Sequence, residues 1–122
     1  MHFARDDFDS ELLVRGYRPG ALRVGERTYD AGVVLTTERV IEHWAPGGFG
    51  DLRADTLETL AALAPDVVLI GTGEHLRFPP PAATAGLLAR GIGVEVMDTA
   101  AACRTFNILL SEGRKVVAAL LV

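Results

Sequence analysis

A chain of 122 residues with 49% hydrophobic and 23% charged side chains is long enough for one core and too apolar to stay disordered. Its longest apolar run, residues 116–122, falls short of the about 18 residues of a membrane helix, and the stretch MHFARDDFDS carries acids where a signal peptide needs basic and then apolar residues, so a cytoplasmic location is expected. The net charge of -4 with scattered basic residues argues against nucleic acid as a partner, and a lone Cys103 excludes an internal disulfide and a cysteine zinc cluster.

In chain order, LLVRGY (residues 12–17) is rich in strand formers, Pro19-Gly20 turns the chain, and ALRV follows as a second strand. Gly25-Glu26 fits a two-residue type II′ hairpin turn, which needs positive φ at its first central position, and returns the chain through Arg27, Thr28 and Tyr29. GVVLTT and RVIEHW predict a second hairpin, with Val40, Glu42 and Trp44 on one side of the strand and Ile41 and His43 on the other. PGGFG (residues 46–50) reads as a flexible loop.

From there helix and strand alternate. ADTLETLAALAP places Leu57, Leu60 and Leu63 at helical spacing, with Asp55 and Glu58 as a pair resembling a capping box and Pro65 as the stop. VVLI, with no polar alternation, predicts a strand covered on both faces. Pro79, Pro80 and Pro81 open a helix that Gly91 ends, since proline lacks only an N–H that the first turn leaves unbonded. GVEVM is a strand, a third helix capped by Asp98 or Thr99 runs to Gly113, and KVVAALLV closes the order. Helices between strands imply right-handed parallel crossovers. The fold class expected over 1–122 is therefore a single α/β layered domain with a mixed sheet, antiparallel hairpins in its first half and parallel βαβ units in its second.

Gly71-Thr72-Gly73 at the end of VVLI raises the question of a phosphate loop. A dinucleotide fingerprint would place a third glycine where Leu76 stands, and Glu74 sets a negative charge where phosphate would sit. A Walker loop needs a lysine, and the only one is Lys115. No cofactor motif remains. What does remain is a Gly-x-Gly turn at a parallel strand's carboxyl end, the place where open α/β sheets bind ligands, unless these glycines merely make room for packing. On the last helix Ala102, Phe106, Leu109 and Leu110 form the apolar stripe, while Arg104, Asn107 and Ser111 share the opposite side. Arg104 and Asn107 could there point into the crevice beside Gly71 to Gly73 and grip a carboxylate or a partner's main chain, or they could be solvated helix residues.

Cys103, one turn into that helix beside an arginine, could be a nucleophile with His75 as its base, or simply a small buried residue. His2, His43 and His75 are too widely spaced to suggest a metal. No serine lies in G-x-S-x-G.

The combination of DVVLIGTG (residues 66–73), GIGVEVMDTAAACRTFNILLSEGR (residues 91–114) and VVAALL resembles the small α/β family of unknown biochemical function that includes the adipogenesis-associated methanogen-type domain protein and the mitochondrial complex I assembly factor three. The resemblance implies a three-layer α/β domain with a mixed central sheet, and no established cofactor or reaction. It also singles out Gly71, Thr72, Gly73, Arg104, Thr105 and Asn107 through the family's Gly-Thr-Gly and Thr-x-Asn segments, while Phe106 stands where relatives commonly have tyrosine. Two functions follow as expectations. One is a non-enzymatic binding or assembly-factor-like module holding an unidentified protein partner or a small anionic ligand. The other is a small enzyme acting on an anionic or carbonyl substrate through Cys103, with the Gly71 to Gly73 amides holding an oxyanion. Homo-oligomerisation is open to so apolar a short chain.

Overall fold

The computed structural model describes residues 11–45 and 47–122. The leader reading and His2 lie outside them, as does Pro46.

The first three strands form a sheet of their own. β1 (Val14–Arg18), β2 (Ala21–Val24) and β3 (Arg27–Tyr29) pair antiparallel in the order β1-β2-β3. Gly25 takes the positive φ, 57°, that the two-residue turn between β2 and β3 demands. β1 is irregular: Val14 pairs with Val24 and Gly16 with Arg23, so Arg15 is the extra residue of a bulge.

The second sheet has five strands in the order β5-β4-β8-β6-β7, formed by β4 (Val33–Leu35), β5 (Val40–Ile41), β6 (Val67–Gly71), β7 (Gly93–Met97) and β8 (Val116–Leu120). β6 runs parallel to both β7 and β8, whereas β4 is antiparallel to β5 and β8. The sheet is mixed, as its sequence pattern predicts. The N-terminal hairpins divide, however: one builds a separate sheet and the other extends the central one.

Three helices cover the central sheet: α1 (Ala54–Glu58), α2 (Pro81–Ala89) and α3 (Thr99–Ser111). Alternate residues of the buried strands sort into two cores. Leu35, Leu69, Ala118 and Leu120 pack with Leu22 and Val24 of the small sheet and with Ala102 and Phe106 of α3. Val34, Val68, Ile70 and Ala119 face the other way, toward Leu57 of α1, Leu60 and Leu87 of α2. The result is three layers, and it explains why VVLI carries no polar residue: both of its faces are covered.

Three local expectations need correction. The helix begun by α1 tightens into a 3-10 turn over Thr59–Leu63 and ends at Ala64, left-handed with φ 53°, just before Pro65. Its capping box does not form, because the Asp55 carboxylate accepts instead from the Thr56 amide at 2.9 Å and from Arg53 Nε at 3.2 Å. The second hairpin is shorter than its sequence pattern. Its return arm stops at Ile41, since His43 and Ala45 take positive φ (60° and 52°) that no strand accommodates. Among residues 46–50, Gly48 opens a 3-10 turn, Gly48–Asp51, in place of a plain loop.

Candidate functional site

The Gly-Thr-Gly segment ends β6 in a turn whose polar groups are engaged within the fold. The Gly71 carbonyl accepts from the Leu121 amide at 2.9 Å, and the Thr72 amide donates to the Met97 carbonyl at 2.9 Å. Thr72, buried, donates its hydroxyl to the His75 carbonyl at 2.7 Å and accepts from the Arg77 amide at 3.1 Å, which closes the loop on itself. Gly73 donates its amide to Thr99 Oγ1 at 2.8 Å, and its carbonyl accepts from the Thr99 amide at 2.9 Å. Gly71 is glycine for space: a Cβ there would lie 2.8 Å from Leu120 Cδ2 and 2.9 Å from Thr99 Oγ1. The Thr72 and Gly73 amides are thus already bonded, so neither is a free donor for a phosphate or an oxyanion.

Thr99 is the residue whose part the sequence hides. Fully buried at the start of α3, it accepts from Gly73 and donates to the Leu121 carbonyl at 2.8 Å, joining the loop after β6 to the end of β8. Asp98, by contrast, caps α3 as its position predicts, accepting from the Ala101 amide at 2.8 Å.

Beside this turn, at the carboxyl end of β6 and β8, lies a cleft of about 540 Å³ lined among others by Asp30, Phe49, Thr72, Gly73, His75 and Arg77. The Arg77 guanidinium sits 4.1 Å from the Phe49 ring centroid, a cation–π contact that gives one wall its shape. His75 is exposed, with Nε2 3.8 Å from the Glu74 carboxylate. The same loop leaves Leu76 49% and Phe78 71% exposed.

The α3 residues occupy a different concavity. A groove of about 250 Å³ between β1 and α3 is lined by Arg15, Tyr17, Cys103, Arg104 and Asn107, among others. The shared crevice expected for Arg104, Asn107 and Gly71 to Gly73 does not form. Arg104 lies five residues beyond Thr99, where the loop docks, which turns it roughly 140° away around the helix. Asn107 is no solvated residue: its Oδ1 accepts from the Val14 amide and its Nδ2 donates to the Val14 carbonyl, both at 2.9 Å, so it clamps β1 to α3. Thr105 bonds back to the Ala101 carbonyl at 2.9 Å and touches Met97 Sδ at 3.6 Å. Arg104 is exposed.

Cys103 is 5% exposed, and burial pushes its thiol up to about 12, a rise that the Arg104 charge only partly opposes. It does not share a concavity with His75. A thiolate at neutral pH with His75 as its base therefore has no support in this geometry. Tyr17 stands beside Cys103 with its hydroxyl buried and without a hydrogen-bond partner. Desolvation, followed by the proximity of the ionisable Cys103, Glu74 and Asp98, raises its pKa; the neighbouring Thr99 hydroxyl opposes this without forming a proper hydrogen bond. Among the described residues no group of three or more His, Cys, Asp or Glu side chains could hold a metal.

Residues 14–121 match the family described as protein of unknown function (DUF498/DUF598). The chain belongs to that family. A member at 39% identity is an uncharacterized protein of Rhodobacter capsulatus, aligned over 93% of this chain and 87% of its own length. NADH dehydrogenase (ubiquinone) 1 alpha subcomplex assembly factor 3 of Xenopus tropicalis is 35% identical over 74% of this chain, but only 50% of that protein is covered. A Francisella tularensis relative named 13 kDa major membrane protein is 29% identical over 95% of both chains. Among solved structures, a Bordetella parapertussis protein superposes with a TM-score of 0.82 at 40% identity, covering 89% of this chain and 93% of that one. A Bordetella pertussis protein described as a Mth938-like domain gives 0.77 at 33% identity, over 89% and 84%. The DUF498/DUF598 fold is thus the mixed three-layer α/β arrangement described above.

Proposed function

We propose that this member of the family is a non-enzymatic binding module that holds a protein partner during assembly, a reading supported by the relatives named as NADH dehydrogenase (ubiquinone) 1 alpha subcomplex assembly factor 3. The observation that carries the reading is the engagement of the Gly-Thr-Gly turn. Its amides and the Thr72 hydroxyl are bonded internally, so the cleft beside it offers shape and an aromatic wall rather than a set of catalytic groups, while Leu76 and Phe78 of the same loop are exposed outside its lining. In this reading Gly71, Thr72 and Gly73 hold the cleft floor, Thr105 and Asn107 fix α3 against its neighbours, and the exposed Arg104 supplies a charged contact at the edge of the partner surface.

A cytoplasmic setting belongs to the same proposal. Among the described residues no helix is long and apolar enough to cross a membrane.

The test is a quantitative pull-down from the source cell's own lysate with wild type, Phe78→Asp and Arg104→Ala, read by mass spectrometry. A specific protein retained by wild type and lost from Phe78→Asp, and reduced with Arg104→Ala, is the expected result, with melting temperatures within about 2 °C because both side chains are exposed. Equal retention by all three would remove the proposed surface.

A further inference from the structure

The groove between β1 and α3 differs in charge from the concavities around it. The cleft carries Asp30 and Glu74, and the hollow beside β2, β3 and β5 carries Glu11, Glu26, Glu38 and Glu42. The β1–α3 groove has no carboxylate in its lining and two guanidinium groups, Arg15 and Arg104, although the protein as a whole is acidic at -4. Arg15 and Arg104 make no ion pair among the described residues.

Two further features point the same way. The bulge in β1 inserts Arg15 as an extra residue, and bulges of this kind re-aim a side chain beside a site. The Asn107 amide grips both polar groups of Val14, the residue before the bulge, so the frame carrying Arg15 is fixed to the helix carrying Arg104.

We propose that this groove is an oxyanion site, taking one carboxylate or phosphate group between the Arg15 and Arg104 guanidiniums. Planar guanidinium forks match both groups, and a volume of about 250 Å³ accommodates either with its first waters. Arg104 also borders the proposed partner surface, but Arg15 belongs to this groove alone, so the site stands if no partner is ever captured.

The experiment is an amide and arginine Nε NMR titration of the whole chain with inorganic phosphate, acetate, and a short peptide with a free or an amidated carboxyl terminus, each against chloride at equal ionic strength. Saturable shifts confined to residues 14–17 and 100–107 are expected, weakened at least tenfold by Arg15→Ala, with the fold's other resonances unchanged. Preference for phosphate would assign a phosphate group, and preference for acetate and the free-carboxyl peptide a carboxylate. Shifts equalled by chloride, or an affinity indifferent to Arg15→Ala, would overturn the site. Arg15 has no part in the partner surface, so this variant separates the two proposals.

Discussion

Cys103 shows how neighbours decide the chemistry of a side chain. Position alone, one turn into a helix and beside an arginine, suggests an activated thiol, yet burial beside Phe106 and β1 outweighs the Arg104 charge and raises the thiol from 9.0 to about 12. Linkage gives this a sign. The unfolded chain loses the thiol proton near its ordinary value while the folded chain keeps it, so stability falls as pH climbs from about 9 toward 12, by at most about 1.4 kcal/mol per pH unit. Tyr17, also raised by desolvation, adds a dependence of the same sign above its ordinary 10.0, weaker because the ring is only partly buried. Urea midpoints at pH 8, 9 and 10 should therefore decline for wild type, and less steeply between 9 and 10 for Cys103→Ala. The folded thiol should also resist alkylation at pH 7 and react once the protein is unfolded. A folded thiol that labels rapidly at neutral pH would revive the nucleophile.

At the scale of elements, α3 carries both what could be read in advance and what could not. Its cap, its end at Gly113 and its apolar stripe of Ala102 and Phe106 follow from local spacing, because capping and periodicity act within a few residues. Asn107 was legible only as polar. Its partner Val14 is 93 positions away, and helical spacing holds no information about a strand that distant. The same limit hid the separation of Arg104 from the Gly-Thr-Gly turn, which depends on where Thr99 docks. β6 was legible from an unbroken apolar run, and the Gly25 turn from its glycine. The second hairpin was not, since nothing local announces the left-handed backbone at His43 and Ala45. The clamp makes a contrast within one helix. Asn107→Ala strips both Val14 groups of their partner and should cost about 2 kcal/mol, whereas Arg104→Ala, one turn away but exposed, should change urea stability by less than about 0.5 kcal/mol. Equal effects would mean that the clamp contributes nothing to the fold.

For the molecule as a whole, the three layers meet on β8. This strand lies between β4 and β6, which do not pair with each other, and every residue of Val116–Leu120 is buried. Leu121, just past it, receives the Thr99 hydroxyl and gives its amide to Gly71, so the floor of the cleft is also completed from this end. The order of synthesis then acquires a physical meaning. A nascent chain that has emerged only as far as Arg114 holds two half-sheets, each with an apolar edge waiting for the same missing strand, and neither the cleft nor the sheet can close until residues 116–121 arrive. A polypeptide stopped before Val116 should therefore show no cooperative melting and should scatter light at micromolar concentration, while the full chain does neither. Until Val116–Leu120 has joined β4 to β6 the chain is an adhesive intermediate, and the cleft takes its shape only when that strand is in place.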